Sequence, residues 1–158
     1  MVASKNHFSL YFLLLFLLVL SSCDSKRFFE ENKTIPKSVW NRYEKIRFDV
    51  MIADTSAAYD IYLNVRNDMT YPYANLYFFL ETEPPAGRVY MDTVECTLAD
   101  YSGKWMGKGF GSIKFNRFLF EKGVKFRKAG KYTFLCEQAM RVIDLQGIKD
   151  VGLRIEKE

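Results

Sequence analysis

The chain has 158 residues, a formal net charge of +4, 27% charged and 49% hydrophobic residues, which fits one domain with its own core and excludes a disordered polar polymer. Lysines and arginines are interspersed with acids, so the charge reads as a solvated surface and argues against nucleic acid as a partner. The single histidine, His7, lies in the apolar N-terminal segment, which removes Ser-His-Asp and Cys-His nucleophiles and the commonest zinc sites from the rest; no enzyme, metal or cofactor is expected.

In chain order, one basic residue, Lys5, precedes FSLYFLLLFLLVL, the 13 residues from Phe8 to Leu20. A helix needs about 20 apolar residues to cross a hydrocarbon core, so this run is too short to remain as a span. A positive head, a short apolar stretch and small residues after it form the pattern of a secretory signal peptide. Leu20, Ser21 and Ser22 lead directly into Cys23, and this quartet resembles the lipobox of bacterial lipoproteins. The resemblance implies removal of residues 1–22 and a diacylglycerol on the Cys23 thiol. Lipid chains contribute about 0.8 kcal/mol per buried methylene, so a multiply acylated cysteine holds a chain on a bilayer without any spanning helix. Residues 23–40, with DSKRFFEENKTIPKSVW, show no period and read as a lipidated N-terminus and tether.

From residue 41 the pattern becomes strand-like. Ile46, Phe48, Val50 and Ile52 alternate with Lys45, Arg47, Asp49 and Met51, the period of a half-buried strand. Tyr59, Ile61, Leu63 and Val65 repeat it, with Asp60, Asn64 and Arg66 outward. NLYFFLETE is apolar on both faces, which predicts a central strand, and PPAG at 84–87 turns the chain into RVYMDTVECTL. A glycine-rich loop at 100–112 precedes short strands near 113–120 and 124–126, then GKYTFLCEQAM and DVGLRIEKE. About eight short strands without a convincing amphipathic helix predict an all-β antiparallel sandwich over 41–158, jelly-roll or immunoglobulin-like.

The loop DYSGKWMGKGFGS lacks the spacing of a phosphate cradle and feeds a strand rather than a helix, so its glycines read as a mobile hairpin end. Glu81 and Glu83 share a strand face but stand at its end beside Pro84, where a solvated pair is the ordinary outcome. In EQAMR, Glu137, Gln138 and Arg141 interrupt an apolar strand, and such groups are either clamped to neighbours or form a partner-binding patch. Trp40, Tyr71, Tyr73 and Trp105 fall outside clear strand phase, where aromatics anchor interfaces or stack on sugars, or simply pack loops. Cys96 and Cys136 lie on the apolar phase of their strands and either form a disulfide across the core or serve as small buried hydrophobes.

The segments NVRNDMTYPYANLYFFLE, DTVECTLADYSGKWMGKGFGSIK, GKYTFLCEQAMR and LQGIKDVGLRIEK, in this order behind a lipobox, resemble the GldH gliding-motility lipoprotein family of the Bacteroidetes. The resemblance covers nearly all of the chain after residue 22. It implies a non-catalytic envelope lipoprotein associated with gliding motility and the type IX secretion apparatus, with other envelope proteins as partners, the membrane reached through the N-terminal lipid, and no small-molecule ligand. It transfers one definite role, lipidation, to Cys23. Arg66, Tyr71, Tyr73, Trp105, Glu137, Gln138 and Arg141 are then candidates for the interaction surface, or part of the loop scaffold. Asp24 after the cysteine is an inner-membrane retention mark in enterobacteria, and the acidic surface-export cluster of Bacteroidetes is missing from CDSKRFF. The periplasmic face of the outer membrane is the expected location. The competing reading is a glycan-binding module with Trp40, Tyr71, Tyr73 and Trp105 as stacking platforms.

Overall fold

The structure, a computed structural model, describes residues 24–158. The expected signal peptide and the expected lipidation site Cys23 lie outside the described residues. Ten strands follow in order: β1 Arg27–Thr34, β2 Val39–Asn41, β3 Ile46–Ile52, β4 Tyr59–Asn67, β5 Asn75–Glu83, β6 Tyr90–Thr97, β7 Lys114–Val124, β8 Gly130–Gln138, β9 Asp144–Gln146 and β10 Ile148–Lys157. Eight of them form two four-stranded antiparallel sheets, β1-β10-β4-β7 and β3-β8-β5-β6, while β2 and β9 pair alone. Apart from the β5–β6 hairpin, successive strands of the two sheets alternate between them and return to lie beside early ones, the double Greek key of a jelly roll, and this order excludes the immunoglobulin wiring.

The alternation of the sequence is what builds the core. β3 buries Phe48, Val50 and Ile52 and exposes Arg47, Asp49 and Met51. Facing it across the sandwich, Ile61, Leu63 and Val65 of β4 and Val151, Leu153 and Ile155 of β10 are sealed from solvent. Each such side chain contributes roughly 1.5–3 kcal/mol by leaving water.

The expected tether is corrected from Arg27 onward. β1 pairs along its length with β10, from Arg27 opposite Glu156 to Thr34 opposite Asp150, and Ile35 and Trp40 enter the core. β1 hides no regular apolar face, so periodicity missed it. It is held instead by main-chain pairing and by a polar network on the outer face of its sheet. There Arg154 is 4% exposed and donates to Glu30 Oε2 at 2.6 Å, to Glu156 Oε1 at 2.6 Å and to Asp24 Oδ2 at 2.5 Å. Asn64, expected outward and wet, is covered by the same network, donating to Glu30 and accepting from Arg117, each at 3.0 Å. The two short strands expected near 113–126 are one continuous β7.

The register defines two poles. Arg27 opposite Glu156, Tyr59 opposite Lys157 and Val124, and Ile52 opposite Gly130 mark the first pole, where the described chain begins. At the far pole Asn67 faces Ile148 and Lys114, and the long loops 68–74, 98–113 and 139–143 gather there.

The disulfide alternative is overturned. Cys96 and Cys136 are both free and buried, placed on either side of β5 opposite Leu76 and Leu80. Two strand spacings separate them laterally by about 9–10 Å, beyond the roughly 7 Å between Cα atoms that a bridge tolerates. Burial pushes both thiols up to about 12, which keeps them protonated and unreactive at neutral pH.

Candidate functional site

The candidates from the sequence are distributed over three places rather than one. Tyr71, Tyr73, Trp105 and Arg141 stand in the far-pole loops, Arg66 lies on the outer face of the β1 sheet, and Glu137 on the outer face of the β3 sheet opposite Phe79. Gln138 points inward and is fully buried.

Gln138 is a clamp. Its Nε2 donates to Val142 O at 2.9 Å and Ile143 O at 3.2 Å, while Oε1 accepts from Met140 N at 2.9 Å. Three main-chain groups of the loop after β8 are thereby satisfied by one amide, which leaves nothing for a partner. Arg66 is also engaged: its Nε donates to Asp150 Oδ2 at 2.5 Å, although the guanidinium is half exposed.

Tyr71 and Trp40 are buried, at 3% and 1% exposure, and this removes half of the expected sugar-stacking platform. Tyr71 donates its hydroxyl to Asn75 O at 2.7 Å, and burial pushes that hydroxyl well above its ordinary range. Trp40 donates Nε1 to Glu44 O at 2.9 Å and packs on Phe78. Tyr71 instead forms a hub, with ring centroids 5.8 Å from Tyr73 and 6.5 Å from Trp105. Tyr73 and Arg141 remain accessible and line a shallow concavity of about 330 Å³ with Tyr77, Ala139 and Met140.

The loop from Leu98 to Ile113 is built, which corrects the expectation of a mobile hairpin end. Asp100 Oδ1 accepts from Ser102 N at 2.9 Å and Lys104 N at 3.0 Å, and Lys108 exchanges two main-chain bonds with Phe115 at 2.9 and 2.7 Å. Gly103, Gly109 and Gly111 take positive φ of 81°, 137° and 68°, as the turns require. On this frame Tyr101 and Phe110 are fully exposed and Met106 is largely so. Three large apolar side chains held in water on one ordered loop mark an interaction site more directly than any residue singled out from strand phase. The signal is present in the sequence as aromatics spaced among glycines, although the glycines by themselves point to mobility.

The family model for the GldH lipoprotein matches residues 27–155. A gliding motility lipoprotein GldH homolog of Christiangramia forsetii is 35% identical over 160 residues, covering 97% of this chain and 98% of the relative. The gliding motility lipoprotein GldH of Flavobacterium johnsoniae is 37% identical over 153 residues, covering 92% of this chain and 94% of the relative. With a family match across both sheets and relatives aligned almost end to end, the chain belongs to the GldH lipoprotein family.

Proposed function

We propose that this protein is a lipid-anchored, non-catalytic adaptor on the periplasmic face of the outer membrane, serving gliding motility and the type IX secretion machinery by binding other envelope proteins. The observation that carries the reading is polarity. Asp24, one residue after the lipobox cysteine, is held by Arg154 at the first pole, so a lipid on Cys23 would seat that pole against the bilayer. The exposed aromatic loop with Tyr101 and Phe110 stands at the opposite pole, facing away from the anchor. Family membership supports the motility role, and the buried, protonated thiols and absence of histidine after His7 support a non-catalytic one.

The test is crosslinking and mild detergent extraction of tagged wild-type protein, of Cys23→Ala, and of Tyr101→Ala/Phe110→Ala from envelope fractions. Wild type should recover motility or secretion proteins; the double variant should recover about tenfold less, as expected when hot-spot aromatics are truncated. Equal recovery by the double variant, or binding of purified envelope polysaccharide in place of protein, would overturn the proposal. Intact mass reports separately whether Cys23 carries lipid.

A further inference from the structure

We infer that the opening between the two sheets at the first pole is a binding site for a long-chain carboxylate of the fatty-acid class, contrary to the sequence-based expectation of no small-molecule ligand. β6 and β7 are the edge strands on this side, and their ends leave the sandwich unclosed. Inward positions of β6 that would be aliphatic in a closed core are Tyr90 and Asp92, opposite Thr82 and Leu80 of β5. The result is a cleft of about 570 Å³, within the roughly 300–1,000 Å³ typical of small-molecule sites.

Its lining has two chemistries in separate places. The floor is apolar, made by Ile61 and Phe134 from opposite sheets together with Phe120. One wall is a tilted aromatic pair in which Phe126 lies 4.7 Å from Tyr132, ring centroid to centroid, with the planes at 58°. Because stacked sheets stand about 10 Å apart, the space between them is one acyl chain wide rather than two. The rim carries Arg88, Lys125, Arg127 and Lys128 against the two carboxylates Asp92 and Glu121. Among the described residues none of these four cations lies within 4.0 Å of a carboxylate, whereas nine other basic side chains of the fold do. Unpaired cations over an apolar slot complement one amphiphile chemistry: a hydrocarbon chain ending in an anion, with Arg88 suited to a bidentate grip on a carboxylate. The cleft exists whether or not Cys23 carries lipid, so this inference stands apart from the anchoring proposal.

The experiment uses the full-length protein in nonionic detergent with a diazirine-bearing palmitic acid as probe. After photolysis, labelled peptides are mapped by mass spectrometry. Label should concentrate on residues 82–92 and 120–134, and oleate should compete about tenfold better than methyl oleate, equivalent to about 1.4 kcal/mol for the head-group charge. Ala86→Trp, an exposed position at the mouth, should lower labelling about fivefold by filling the slot. Arg88→Glu/Lys125→Glu should erase the preference for oleate over its ester, and Lys104→Glu/Lys108→Glu at the far pole should change nothing. Label spread over the surface, equal competition by the ester, or undiminished labelling of a folded Ala86→Trp variant would overturn the inference. A diazirine-bearing phosphatidylglycerol that labels the cleft while the free acid does not would also overturn it, in favour of a membrane lipid.

Discussion

At Gly147 the turn between β9 and β10 runs against the loop after β4. Its φ is +85°, and an added Cβ would lie 2.5 Å from Tyr71 Cα and 2.8 Å from Tyr71 Cβ. The same glycine accepts from Asp68 N at 2.8 Å and donates to Ser38 O at 2.9 Å, so the clash cannot relax without breaking loop contacts. Gly147→Ala should therefore cost about 3 kcal/mol in denaturant unfolding, combining backbone strain with overpacking. Gln138→Ala should cost about 2 kcal/mol by leaving buried main-chain groups unpaired. Its larger effect should be faster hydrogen exchange confined to residues 139–143. The sequence made Gln138 legible as a polar interruption of an apolar strand, but not as a clamp rather than a patch. That distinction depends on where residues 140–143 fold back, and local spacing does not encode it.

Among the elements, strands that bury one face announce themselves. β3 spans Ile46–Ile52, as its alternation predicts, and β5 spans Asn75–Glu83, as the apolar run NLYFFLETE predicts. β1, β2 and β9 were illegible because none carries its own apolar stripe: β1 is stabilised by pairing and ions, while β2 and β9 are three residues each. Arg154 is the pin of β1, joining β10 to Glu30 on β1 and to Asp24 before it. Arg154→Met should destabilise the fold by about 2 kcal/mol, less than a fully buried pair because the carboxylate partners are partly solvated. β1 amides should lose exchange protection before those of β4. The hydrogen bond from Arg154 holds the Asp24 carboxyl below its ordinary value of 3.8. A lowered folded pKa means that the contact stabilises fully above pH 3.8 and is lost as pH falls through the lower folded value. Exchange protection at residues 24–30, taken relative to the intrinsic rate at each pH, should accordingly fall in that acid window and hold between pH 5 and pH 8; unchanged protection in the acid window would show that Asp24 does not pin the start of β1.

For the whole molecule, the decisive consequence is orientation. β10 runs from Ile148 at the far pole to Lys157 at the first, ten residues that place the poles on the order of 30 Å apart. No slack chain would separate a lipid on Cys23 from the first pole, because the next residue, Asp24, is bound to Arg154. That pole also presents Lys26, Lys122 and the cleft cations Arg88, Lys125, Arg127 and Lys128, none in an ion pair among the described residues, and such cations gain about 1 kcal/mol each against an anionic surface. Both tryptophans lie toward the other pole: Trp40 on β2 beside Leu145, and Trp105 in the aromatic loop. The lipidated protein in vesicles containing brominated lipid should thus keep its tryptophan emission, since neither indole approaches the acyl chains that carry the quencher. Raising salt should leave emission unchanged while the covalent anchor holds. Quenching of the partly buried Trp105 would mean that the domain lies with its aromatic loop on the bilayer, which would make Tyr101 and Phe110 membrane contacts and remove the basis for a partner site at the far pole.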